Sequence, residues 1–305
     1  MNPSFNRFAL AAGALTLAFA GLLWQLFVFA IADDLYSYIP LIPFVSGYLA
    51  WTFRASLPRP GESAPARGLA AVLFAGGAAA LAGYFALARH ATPAAYEDSL
   101  AAGTLAWVLG LGGVGCWFLG GATMRTLAYP FGLLLFMVPL PMEVRNGLET
   151  VLQHGSAVVA DWMFVLSGAP VLCTGLQFQL PDISIMVAPE CSGIHSTWVL
   201  FITSVVAGRL VLRRPWRRAV LCLIVLPLAL LRNGFRVFVI GQLCIHIGPQ
   251  MIHSPIHHRG GPIFFGLSLI PFFLVLYFLR RSEGRPAGGK IEDRKAESRK
   301  QKEDH

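Results

Sequence analysis

Three short stretches of this chain carry residues that the packing of an apolar protein does not call for. The first is APECSGIHS, residues 188–196, in which Glu190, Cys191, Ser192, Gly193 and His195 lead into a long apolar run. Pro189-Glu190 reads as the opening of a helix, with Cys191 in its first turn. Unpaired N–H groups and the positive end of the helix dipole there favour a thiolate over a thiol. The second stretch is LLRNGFRVFVIG, residues 230–241, with Arg232, Asn233 and Arg236 inside an apolar segment. An intramembrane guanidinium costs several kcal/mol unless it snorkels, pairs or faces a wet cavity, so both arginines are candidates for function, with snorkelling as the alternative. The third is HSPIHHRGGPIFFG, residues 253–266, which clusters His253, His257 and His258 ahead of Gly261. His253 and His257 have a zinc-compatible spacing, but Pro255 interrupts it and no carboxylate stands nearby. No metal and no other cofactor is therefore expected. Together the stretches offer a nucleophile, a cation for a developing oxyanion, and a base, which is the equipment of acyl transfer.

The elements that must position these groups are membrane helices. Of the 305 residues 55% are hydrophobic and 13% charged, more apolar than a soluble core of this size requires. The expected fold is all-α, a polytopic transmembrane bundle of about eight spans, at residues 8–32, 36–53, 68–88, 101–121, 126–140, 191–208, 219–240 and 262–279. The first run lacks a small-residue cleavage site and reads as a span rather than a signal peptide. With both termini inside, the cytoplasmic segments hold Arg7, Arg54, Arg59, Arg67, Arg125, the five arginines between Arg209 and Arg218, and nine basic residues from Arg280 to Lys302. That is 19 of the 24 basic residues, so the +8 net charge is a topology signal and implies no nucleic-acid partner.

The same topology places Cys191, the His257 loop and residues 141–190 on the extracytoplasmic side of the cell membrane. Within 141–190, residues 148–166 suit a helix at the interface and 171–187 a small hairpin with Pro181-Asp182 in its middle. Cys116, Cys222 and Cys244 lie in apolar runs and read as small buried hydrophobes, whereas Cys173 is a competing disulfide partner for Cys191. Residues 1–280 form the membrane domain. The tail, 281–305, has mixed charge with Gly, Pro and Ser and is expected to be disordered.

Glu190-Cys191-Ser192-Gly193-Ile194, Asn233-x-x-Arg236, and His257-x-x-x-Gly261 followed by Phe264-Phe265-Gly266 resemble, in order and spacing, the three signature blocks of the exosortase/archaeosortase family. The resemblance is fullest over residues 126–279. It implies a membrane-embedded cysteine protease or transpeptidase that cleaves the C-terminal sorting signal of exported proteins, often a Pro-Glu-Pro motif followed by a transmembrane helix and a basic tail. Cys191 would be the nucleophile, Arg236 the oxyanion stabiliser and His257 the general acid/base, with Glu190, Ser192, Gly193, His195, Arg232, Asn233 and Gly261 supporting them. Two positions depart from the pattern: Pro262 stands where many members have an aromatic residue, and His195 where many have Arg. His195, four residues after Cys191, is the alternative base. The implied partners are C-terminally anchored substrate proteins, membrane lipid and an amine acceptor. The resemblance ends with the eighth span, so the extra C-terminal domain of some members is expected to be absent. A transporter or assembly factor for exported polysaccharide, with Cys191 inert, is the alternative class. It would need polar or broken helices at the midplane, where helices one to four show mainly Gly and Ala.

Overall fold

A computed structural model describes residues 3–58, 63–90, 92–181, 183–187, 192–253 and 261–283. Glu190, Cys191, His257, His258 and the tail beyond residue 283 lie outside the described residues. The chain forms two compact units, Met1–Leu148 and Glu149–His305.

The first unit opens with α1 (Pro3–Ala18) and α2 (Ala20–Ala32), which meet at a 66° bend. Next come α3 (Ile42–Thr52), α4 (Arg67–Leu87) and α5 (Pro93–Phe118). The short α6 (Gly121–Thr126) and α7 (Ala128–Leu133) follow, and then the start of α8 (Met142–Ser167). Helix α5 is largely buried, and small residues let its neighbours close on it: a Cβ at Gly113 would lie 2.8 Å from the Phe74 ring, and one at Gly77 would lie 3.3 Å from the Ala106 carbonyl. Lipid is as apolar as a leucine side chain, so contact of this kind, rather than exclusion from water, holds membrane helices together.

Polar groups fasten one end of this unit. Arg145 reaches both carboxylate oxygens of Glu97 at 3.1 and 3.3 Å and stands 3.7 Å from Asp33. The Met142 N–H donates to Asp98 at 2.9 Å, and the buried Tyr36 hydroxyl donates to the Leu140 carbonyl at 3.4 Å.

The second unit holds the rest of α8, a three-stranded antiparallel sheet of β1 (Leu172–Thr174), β2 (Gln177–Gln179) and β3 (Ser184–Met186), and four further helices. These are α9 (Ile194–Val211), α10 (Pro215–Leu223), α11 (Val225–His246) and α12 (Gly261–Arg281). The register pairs Cys173 with Phe178 and Phe178 with Ile185, so one face of the sheet carries all three side chains. That face packs on Ala157, Ala160 and Phe164 of α8 and on Val237, Ile240 and Cys244 of α11. The expected hairpin at Pro181 is thus present as β2–β3, and β1 adds a third strand through a turn at Gly175, whose φ is +64°.

Among the described residues, five helical segments are long and apolar enough to cross a membrane: α4, α5, α9, the α10–α11 run Pro215–His246, and α12. The bent α1–α2 pair passes the same test only when its two helices are taken together as one span. The other two expected spans are short: α3 has 11 residues, and Ala128–Met137 is a broken apolar run. Pro40, Pro43, Pro130 and Pro139 interrupt these regions, and hydropathy registers their apolar side chains but not the breaks. The fold is an all-α, multi-pass helical bundle with a small β insertion.

Candidate active site

Helix α9 begins at Ile194, capped by Gly193, so its first turn holds His195 and Thr197 but not Cys191. The physical reason for the late start is Gly193 itself. Its φ of +70° is left-handed backbone, and a Cβ there would lie 2.7 Å from Nη2 of Arg232. An L side chain in that conformation costs about 1–2 kcal/mol before the clash is counted. The later start removes the basis for placing Cys191 and His195 on one helical face.

The Gly193 carbonyl is the hub of the site. It accepts from the Thr197 N–H at 3.0 Å, the Thr197 hydroxyl at 2.8 Å, the Ser196 hydroxyl at 3.1 Å and Nη2 of Arg232 at 3.1 Å. The same Nη2 also donates to the Thr197 hydroxyl oxygen at 3.2 Å. Ser192 is buried at 1% exposure, and its hydroxyl accepts from the Ile194 N–H at 3.4 Å. The sequence blocks Cys-Ser-Gly and Arg-Asn-x-x-Arg are therefore tied together through Gly193 and Arg232.

Arg232 does not snorkel. It is 9% exposed, and its Nη1 is buried with no hydrogen-bond partner among the described residues. It stands on the wall of a mostly apolar groove of about 360 Å³ that also includes Met163, Leu228, Phe235, Phe264, Ser268 and Pro271. Asn233, 2% exposed, donates to the fully buried Ser156 hydroxyl at 3.1 Å. Arg236, one turn further along α11, is half-buried and lines a small crevice with Asn233, Val237, the β3 residues Ile185 and Met186, and Val187 just after them. The carbonyl of Val187 in turn accepts from the Gln153 side chain at 3.5 Å.

Two supporting residues, Ser156 and Thr197, are not evident from the motifs. Ser156 lies on the buried face of α8 with Gln153 and Ala160, a placement that the fold reveals and the motifs do not. Thr197 follows the Cys-Ser-Gly block by one turn. Gly261 opens α12, and a Cβ there would meet nothing within 4 Å. His253 falls in a short 3-10 helix, Pro249–His253. Of the other cysteines, Cys116 and Cys244 are buried, and Cys222 lies 3.4 Å from the Ser204 hydroxyl. Cys173 is a free thiol whose pKa is pushed up by burial and then by the nearby Asp161 carboxylate.

A family model described as Transmembrane exosortase (Exosortase_EpsH) matches residues 24–274, a span that takes in Gly193, Arg232, Asn233 and Arg236. No curated protein and no solved structure matches the chain. The chain belongs to the transmembrane exosortase family and is a multi-pass membrane protein.

Proposed function

We propose that this exosortase is a membrane cysteine protease or transpeptidase acting on the C-terminal sorting signal of exported proteins, with Cys191, Arg236 and His257 as its reacting groups. The observation that carries the reading is the bond from Arg232 to the Gly193 carbonyl, at 3.1 Å, which joins the cysteine-bearing block to the arginine-bearing helix within a family member. Arg232 is spent on holding that junction and acts as a positioning residue. Arg236, beside Asn233 and β3, is the guanidinium that meets the substrate in this reading.

In the reaction, His257 takes the Cys191 proton and the thiolate attacks the scissile carbonyl, forming a C–S bond and a tetrahedral oxyanion. Arg236 stabilises that charge with its planar fork of donors, which a lysine ammonium cannot reproduce. Collapse of the intermediate breaks the C–N bond. The leaving amine receives the proton from His257, and the thioacyl-enzyme passes its acyl group to water or to an amine acceptor. The substrate's sorting signal is presented on the extracytoplasmic side, opposite the basic ends of the helices.

The test is co-expression with each C-terminally anchored candidate protein of the same genome, following size and membrane release. Cys191→Ala and Arg236→Lys should abolish processing. His257→Ala should cost about 10²–10⁴-fold, the usual contribution of a general base, while His253→Ala and His258→Ala retain substantial activity. Processing that survives Cys191→Ala would sink the reading, and loss in His195→Ala with a normal His257→Ala would move the base to α9.

A further inference from the structure

We infer that the arginine-lined cavity at the ends of α9, α10 and α12 binds the phosphodiester headgroup of an anionic membrane lipid. The cavity has a volume of about 770 Å³, and five arginines line it: Arg209, Arg213, Arg218, Arg280 and Arg281. The one carboxylate facing them is Glu283, so the lining carries a formal +4 (five minus one).

Among the described residues, no second acid lines the cavity. The Glu283 carboxylate accepts from the backbone N–H groups of Arg213 and Arg214 at 3.0 Å and lies 3.8 Å from Arg217. It is thus already engaged. Two arginines serve the helix ends: Arg218 donates to the carbonyls just after α9, Leu212 at 2.8 Å and Arg213 at 3.1 Å, and Arg217 donates to Leu279 at 2.9 Å in the last turn of α12 and to Ser282 at 3.1 Å just after it. Arg213, Arg280 and Arg281 are exposed around the cavity. The following residues, 284–305, hold seven basic and five acidic side chains, a net +2 that adds to the excess rather than offsetting it. A positive-inside bias accounts for arginine on this side of the membrane. It does not account for five of them gathered about one cavity.

The apolar part of the lining selects among anions. Leu210, 55% exposed on the last turn of α9, and Tyr277, 54% exposed on α12, belong to helices that cross the membrane. A tyrosine beside a ring of arginines at the end of a span marks the depth where acyl chains meet headgroups. Basic pockets between helix ends on that face suit phospholipid headgroups, and a lipid's own chains would cover Leu210 and Tyr277 where a free phosphate leaves them bare.

The test uses the full chain in nanodiscs of phosphatidylcholine with or without phosphatidylglycerol, reading retained lipid by native mass spectrometry and the melting midpoint in parallel. Wild type should keep phosphatidylglycerol in preference to phosphatidylcholine and melt higher in its presence. At about fivefold per arginine, Arg280→Gln/Arg281→Gln should weaken retention about 25-fold, while Arg54→Gln/Arg125→Gln leaves it unchanged. The melting midpoint in pure phosphatidylcholine reports whether the double variant folds. If it does not, Arg281→Gln alone should still show about a fivefold loss. Equal retention of the two lipids by wild type, or equal loss in the control pair, overturns the inference. Protection by inorganic phosphate in detergent matching that by phosphatidylglycerol overturns the lipid assignment in favour of a soluble anion.

Discussion

Arg232 and Arg217 lie in the same compact unit and are almost equally buried, at 9% and 6% exposure, yet they answer to different demands. Arg217 sits at a helix end, where it donates to carbonyls that a helix leaves open in any case, Glu283 stands beside it, and its buried Nε has no hydrogen-bond partner among the described residues. Arg232 sits inside a membrane-crossing segment, donates to one glycine carbonyl and one threonine, and leaves its Nη1 with no hydrogen-bond partner among the described residues. Burial alone therefore says little about an arginine's role. An arginine that completes a helix end is explained by the helix it completes, and one that ties two helices together inside an apolar wall is explained by the junction it holds.

The sharpest way to break this contrast is to replace both side chains by an apolar one of similar length. Arg232→Met should cut processing of an anchored substrate by about 10²-fold, because hydrogen bonds from a charged group are worth about 1.5–3 kcal/mol each. The alkylation of Cys191 should also shift to higher pH, since a guanidinium bonded to the Gly193 carbonyl, two residues along the chain, favours the thiolate. Arg232→Lys should recover that pH profile in part. Arg217→Met should lower the melting midpoint and leave processing and the alkylation profile alone. If the two variants differ only in stability, the distinction fails.

A smaller effect sharpens the glycine side of the contact. Gly193→Ala meets both the left-handed backbone penalty, about 1–2 kcal/mol, and the Nη2 of Arg232. It should lose activity and stability together. Gly132→Ala, in α7 with nothing within 4 Å of the added carbon, should be neutral or stabilising by up to about 1 kcal/mol.

The smallest expected effect is on the helix-end side. The backbone N–H of Arg214, followed by that of Arg213 and by the nearby guanidiniums, holds the Glu283 carboxyl below the ordinary carboxylate range, against the burial that raises it. Its folded-state pKa is therefore depressed, so the stability it contributes is present above the ordinary carboxylate pKa and is lost as pH falls through the folded value. Wild type should show this acid-side loss in the melting midpoint, and Glu283→Gln should flatten it.

How much of this was legible in the sequence depends on whether the cause was local. Arg232, Asn233 and Arg236 declare themselves because charged and amide side chains inside an apolar run need partners wherever the chain goes. Among the described residues, five of the eight expected spans correspond to helical segments long enough to cross, a sixth does where the bent α1–α2 pair is one span, and the other two contain prolines, which a hydropathy sum passes over. The start of α9 was misplaced for a non-local reason. Pro189-Glu190 has the look of a helix opening, but the cap is set by Gly193 turning left-handed under an arginine 39 residues away. Strand β1 is three residues long, too short for a pattern, and it is fixed by pairing with β2 rather than by its own composition. Ser156 looks like any small residue in a membrane helix until Asn233 is brought opposite it.

The bond between Arg232 and Gly193 also bears on how the chain is inserted during synthesis. Helix α9 precedes α11, so the carbonyl that Arg232 needs is made first. An isolated α11 released into lipid would expose two arginines at about 2.5–3.5 kcal/mol each on the insertion scale. Held beside α9, one of the two already has its acceptors. The nascent α9–α10–α11 segment is therefore expected to leave the insertion machinery as a unit, with α9 retained until Arg232 arrives. A chain stalled before residue 232 should still crosslink through α9 to the insertion machinery, where one stalled after α11 does not.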